Sequence, residues 1–207
     1  MDLTFTLMTV VTIWGIGVIT PGPNFFIIVN AALTQSRSAA TLVVLGTCSG
    51  TVTWGLAGFF GITLLFQLSP WLLLGIKLAG GAYLVFLGVK LVAASLRKQT
   101  LQTVATLRPM GLTSAWRLGF LTNLGNPKAM AFVSSIFAAA MPANPALWLG
   151  ALSIAVMVII SLVWYLSLVY LFSSRHFTTR YQRSRPWLDR ISGLVFIGFG
   201  LRLATHR

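Results

Sequence analysis

Six long apolar segments, at roughly 5–31, 40–66, 70–94, 118–140, 146–172 and 187–205, leave little of this chain outside them. Most reach or exceed the ~20 residues a helix needs to cross ~30 Å of hydrocarbon. With 57% hydrophobic and only 8% charged residues in 207, the chain has more apolar surface than a soluble fold of this size needs. The pattern predicts an all-α polytopic membrane protein with six transmembrane helices in a single transmembrane domain. The opening MDLTFTLMTVV has neither the basic start nor the small-residue cleavage site of a signal peptide, so the first segment is read as a mature helix. The lone Cys48 lies in an apolar segment and is read as a packing residue.

The net charge of +13 would suit nucleic acid if it formed a patch, but its placement argues otherwise. Loop one holds Arg37, loop three holds Arg97, Lys98, Arg108 and Arg117, and loop five holds Arg175, Arg180, Arg183, Arg185 and Arg190. Loops two and four hold none. The positive-inside rule makes loops one, three and five cytoplasmic and puts both termini outside. The charge is thus an orientation signal and a contact for anionic lipid headgroups, with no nucleic-acid partner.

The first segment contains VITPGPNFFIIVN, residues 18–30, in which a turn sequence interrupts an apolar run. The fourth has a counterpart: WGIGVITPGPNFFIIV (14–29) aligns with WRLGFLTNLGNPKAMAFV (116–133), with Gly17 and Thr20 spaced like Gly119 and Thr122. GAYLVFLGVKL (81–91) likewise matches GLVFIGFGLRL (193–203), pairing Gly81 with Gly193, Gly88 with Gly200 and Lys90 with Arg202. The last match favours a true span for the sixth segment, although only eleven residues separate Arg190 from Arg202. These matches predict two three-helix repeats, 1–94 and 118–207, joined by a cytoplasmic linker at 95–117. An odd number of helices per repeat inverts one relative to the other. Inverted repeats with broken helices in corresponding positions point to a transporter binding site. Proline removes a donor and glycine tolerates the bend, and the freed backbone groups must face protein, water or ligand.

The expected substrate-binding and translocation residues are therefore Thr20, Pro21, Gly22, Pro23, Asn24, Asn123, Asn126, Pro127 and Lys128. Each Asn offers an acceptor and two donors to a zwitterion, and each could instead cap the resumed helix. Lys128 lies some 16 Å along its segment from Trp116, too deep to snorkel easily, and could attract a substrate carboxylate. In the second segment Gly46, Gly50, Thr53, Ala57 and Gly61 form a small-residue stripe, and Gly81/Gly88 and Gly193/Gly200 do so in the third and sixth. These glycines set helix packing or a homodimer seam. Trp71, Trp116, Trp148 and Trp187 open segments as an interfacial belt, while the deeper Trp14, Trp54 and Trp164 are read as meeting lipid, with a pocket position for one of them as the alternative.

TPGPN, the small-rich second segment and NLGNPKA resemble the LysE/RhtB superfamily of bacterial amino-acid exporters. GFLTNLGNPKAMAFV is especially similar to its threonine and homoserine efflux branch. The resemblance covers essentially the whole chain. It implies a bacterial inner-membrane protein that exports a small neutral amino acid from the cytoplasm, driven by the proton gradient in an antiport cycle. Many relatives carry Asp where this chain has Asn24, and some have an acid in the fifth helix, where 146–172 has none. The chain's two acids, Asp2 and Asp189, and its two histidines, His176 and His206, all fall near or beyond segment ends. That leaves the proton-coupling group open. It also excludes a metal-assisted membrane enzyme, which needs clustered Asp, Glu or His, so no cofactor, metal or catalytic residue is expected. The competing readings are a passive channel for small polar solutes and a non-transporting assembly subunit.

Overall fold

The computed structural model describes residues 3–68, 70–96, 109–142, 145–172, 187, 190–191 and 193–202. Every regular element among them is a helix: α1 (Leu3–Ile19), α2 (Pro23–Thr34), α3 (Arg37–Leu68), α4 (Pro70–Leu96), α5 (Leu112–Leu124), α6 (Pro127–Ala140), α7 (Leu147–Phe172) and α8 (Gly193–Arg202). The chain is an all-α bundle. Within α3, Arg37–Gly61 is long and apolar enough to cross a membrane, as is α7. α1 and α2 reach that length together, bent by 53° at their junction. α5 starts inside the stretch read as linker, behind Gly111 in extended conformation.

Both segments with turn-like sequences are interrupted where proline and glycine occur. Regular helix stops at Ile19 and resumes at Pro23, and it stops again at Leu124 and resumes at Pro127. Pro21 and Pro23 lack the N–H groups that would otherwise serve the carbonyls of Gly17 and Ile19, so α1 cannot continue. Each proline that restarts a helix occupies its first turn, where a missing donor costs nothing.

Close helix contacts follow the glycines. Gly46 and Gly119 bring α3 and α5 together so tightly that a Cβ on either would strike the other's backbone, at Trp116 O and Val43 O. Gly50 continues this seam against Asn123, where a Cβ would lie 2.7 Å from its Cβ. α4 and α8 cross antiparallel at two matched points. A Cβ on Gly88 would lie 2.5 Å from Gly193 O, and one on Gly200 would lie 2.5 Å from Gly81 O. The stripe expected in the second segment departs from this seam after Gly50. Thr53 and Ala57 are exposed and Gly61 touches nothing, while Thr51, Gly55 and Phe59 turn inward. The step of three from Gly50 to Thr53 turns the expected stripe off the face that Thr47, Thr51, Gly55 and Phe59 continue in steps of four.

Residues flanking the basic loops make contacts with one another or with nearby helix ends. Gln35 Oε1, before α3, accepts from Met110 N, before α5 (3.1 Å). The Arg37 guanidinium lies 6.0 Å from the Tyr170 ring, near the end of α7. Arg190 Nε donates to Ser95 Oγ, at the end of α4 (3.2 Å). Arg97, Lys98, Arg108, Arg175, Arg180, Arg183 and Arg185 lie outside the described residues.

Gly46→Val should destabilise the protein by about 3 kcal/mol, because the new side chain meets backbone that cannot yield. Gly61→Val should stay within about 0.5 kcal/mol of wild type. Thermal unfolding of the detergent-solubilised variants checks the contrast.

Candidate functional site

The two interruptions face each other inside the bundle. A Cβ on Gly22 would lie 3.3 Å from Lys128 Cδ, and Lys128 Nζ donates to the Thr20 carbonyl at 2.7 Å. This bond joins residues 108 apart in sequence. It ties the first turn of α6 to the end of α1, where aligned carbonyls carry the negative pole of the helix. A carbonyl that the α1 break leaves without a helical donor thus receives a cationic one. The ammonium also lies 5.9 Å from the Phe132 ring and 6.0 Å from the Phe196 ring, which meet edge-on at 4.6 Å.

Around this bond lies a cavity that admits water-sized spheres over about 30 Å³. That is room for about two waters and too little for an amino acid in this conformation. Its lining takes Trp14, Gly17, Val18, Thr20 and Gly22 from α1 and the first break. Asn24 and Phe25 come from α2, Thr51 from α3, Asn126, Lys128, Ala129 and Phe132 from α6 and the second break, and Tyr165 from α7. The polar side chains have unequal roles. Thr20 Oγ1 folds back onto Ile16 O (2.7 Å), closing the last turn of α1. Asn126 Oδ1 accepts from Lys128 N (3.0 Å) and so caps α6. Asn24 does not cap α2, which begins behind Gly22. It is 7% exposed, its Oδ1 has no hydrogen-bond partner, and the Tyr165 hydroxyl lies beside its side chain. A buried acceptor without a donor, at a cavity, marks a place where a ligand can donate.

Of the nine residues expected at the site, Thr20, Gly22, Asn24, Asn126 and Lys128 share the cavity wall. Pro21 lies between two of them, and Pro23 and Pro127 are exposed on the far sides of their helices. Asn123 stands behind the wall. Its Nδ2 donates to Thr51 Oγ1 (3.3 Å) and its carbonyl accepts from Trp54 Nε1 (3.2 Å), so it positions Thr51 instead of facing the cavity. The expectation of lipid contact fails for Trp14. It is 5% exposed and lines the cavity, with Nε1 donating to Met157 O (2.9 Å) and Ser161 Oγ (3.0 Å). Indole buries best where its N–H finds an acceptor, and Ser161 and the Met157 carbonyl supply acceptors inside the bundle. Thr51 and Tyr165 are wall residues that no motif marks. Only the polar hydroxyls of Thr51 and Tyr165, set in apolar helices, signal them in the sequence. Among the described residues, no cluster of His, Cys, Asp or Glu could hold a metal.

Asn126→Ala should lower stability by about 1 kcal/mol through loss of the cap, and Asn126→Ser should recover most of it. Paired melting curves measure both.

The chain matches the family model of the LysE type translocator over residues 15–207 and belongs to that family. It is 29% identical over 201 residues to the threonine efflux protein of Escherichia coli K12, covering 97% of this chain and 98% of that one. It is 31% identical over 206 residues to the threonine efflux protein of Salmonella typhi, covering 96% and 97%. The leucine efflux protein of Klebsiella pneumoniae is 28% identical over 192 residues, covering 91% of this chain and 89% of its own. No solved structure matches. A translocator moves its substrate unchanged, so the chain is a transporter and not an enzyme.

Proposed function

We propose that this LysE-type translocator exports a small neutral amino acid of the threonine or homoserine kind from the bacterial cytoplasm across the inner membrane, in exchange for protons. The observation that carries the reading is the shared cavity between two proline-marked helix breaks. It offers the two poles a zwitterion needs. The carbonyl end of α1 and Asn24 Oδ1 suit the α-ammonium. The starts of α2 and α6, the positive ends of their helices, suit the carboxylate. Hydroxyls of Thr20, Thr51 and Tyr165 surround the space where a small polar side chain would lie. A second cation on the substrate would find no carboxylate, since 3–172 contains no acid. Two close relatives in sequence are named for threonine efflux, which supports the choice of substrate.

In this reading six spans form two inverted repeats, with α1/α2, α3 and α4 in the first and α5/α6, α7 and α8 in the second. The 95–117 linker joins them. The doubled glycine crossing supports it. Gly81–Gly200 and Gly88–Gly193 exchange places under the offset that relates the repeats, as a two-fold axis between α4 and α8 requires. The packing of α1 on α7 and of α5 on α3 has the same symmetry. The ends of loops one, three and five form the cytoplasmic face, and the cavity, too small here for an amino acid, is a substrate-free stage of alternating access. A passive pore would need an open path instead.

Proteoliposomes preloaded with labelled threonine, leucine or lysine should release threonine, faster with acid outside, and should retain lysine. Equal release of lysine contradicts the reading. Asn24→Ala should weaken threonine binding about tenfold or more, given the ~1.5–3 kcal/mol worth of a hydrogen bond to a charged group. Equilibrium binding to the purified variant tests this.

A further inference from the structure

We propose that Lys128 carries the coupling proton, and that its ammonium and the ammonium of the substrate occupy the α1 terminus in turn. The proposal rests on the amino-acid exchange described above and adds the residue that performs the coupling. Its starting point is the bond from Lys128 Nζ to Thr20 O, made where a zwitterion's ammonium would also bind. Asn24 Oδ1, buried and lacking a donor, lies on the same cavity wall and is ready for a second ammonium contact.

Two opposing effects act on this lysine. Its part-buried ammonium lies near the Phe132 and Phe196 rings, in surroundings that solvate a charge poorly. The carbonyl terminus of α1 favours the ammonium. Such a group changes protonation when one favourable contact is taken away. An arriving substrate does this, since two ammonium groups held at one helix end in hydrocarbon repel each other strongly.

The other titratable groups offer no equivalent. α1 and α2 carry none. Among the described residues of the elements around α6, Tyr165 on α7 lies on the cavity wall and Cys48 on α3 is buried behind it. Arg37, Lys90, Arg117 and Arg202, on α3, α4, α5 and α8, are exposed, and Tyr83 on α4 is half-buried. Of these, only Lys128 donates to the α1 terminus.

The cycle balances. With the cavity open to the cytoplasm, the substrate displaces the Lys128 ammonium from Thr20 O. One N–H bond of Lys128 breaks, and its proton passes to cytoplasmic water. The loaded protein turns outward with Lys128 neutral and releases the amino acid. Lys128 then takes a proton from the outer water, re-forms its bond to Thr20 O, and the protein returns. One amino acid leaves for each proton that enters.

Purified protein in proteoliposomes tests this through threonine–threonine exchange and, with a trapped pH dye, threonine-driven proton movement. Wild type should show both. Lys128→Met should lose proton movement yet exchange threonine more than tenfold faster than Lys128→Arg, whose permanent charge blocks the α1 terminus. A lysine that merely binds the substrate carboxylate gives the reverse order, with Arg active and Met inactive, and that result overturns the proposal. Proton movement by Lys128→Met also overturns it. If wild type moves no threonine at all, the amino-acid exchange itself is refuted. Should Lys128→Met fail to fold, wild type decides. Its threonine affinity should rise with pH, by up to about tenfold per unit between pH 6 and 8 for one displaced proton, and a flat profile overturns the proposal.

Discussion

A backbone carbonyl without a helical donor is the most demanding group in a membrane-embedded chain, and the break after Ile19 leaves such carbonyls at the end of α1. In water they would be hydrated. In a bundle they must be met by protein or ligand. The Lys128 ammonium, 2.7 Å from the Thr20 carbonyl, meets one of them from the opposite break. Much of the site's arrangement follows from that contact. α6 must begin beside α1, which draws the second break onto the first. The Asn126 cap must hold the first turn of α6 open at the right place. Gly22 must leave room for the lysine stem.

Packing makes this approach possible. α5 can deliver the second break only by running closely along α3, and Gly46, Gly50 and Gly119 remove the side chains that would hold it off. Asn123 then bonds across this seam to Thr51, so the same contact that joins the helices also fixes a hydroxyl on the cavity wall. On the wall itself, Trp14 locks α1 to α7 through Met157 and Ser161. The cavity is thus bounded by rigid contacts on α3 and α7, and the two interrupted segments provide its polar groups. The Lys128–Thr20 bond links the two interrupted segments across the cavity.

Much of this was legible in the sequence because the signals were strong. Proline and glycine within apolar runs marked both breaks, and TPGPN and TNLGNPK stood in corresponding positions. The depth of Lys128 marked it as a cavity residue. What escaped was whatever depends on helix rotation. Asn24 and Asn126 look alike in sequence, yet Asn126 caps a helix and Asn24 does not, because α2 begins one residue before Asn24 and α6 begins one residue after Asn126. Trp14 looked like a lipid-facing residue, because nothing local reveals the acceptors that α7 brings to it. Tyr165 and Thr51 belong to no motif. Their place on the wall is set by how α7 and α3 turn in the bundle, which a helical period this apolar does not encode.

Substrate protection of a cysteine placed on the cavity wall is the most direct test that the two breaks enclose the binding site. In a Cys48→Ala background, a thiol reagent should label Asn24→Cys, and saturating threonine should slow that labelling several-fold. Phe26→Cys, on the exposed side of α2, should label at a rate threonine does not alter. Equal labelling of Asn24→Cys with and without threonine, in protein that still exports it, would place the substrate elsewhere and contradict the account.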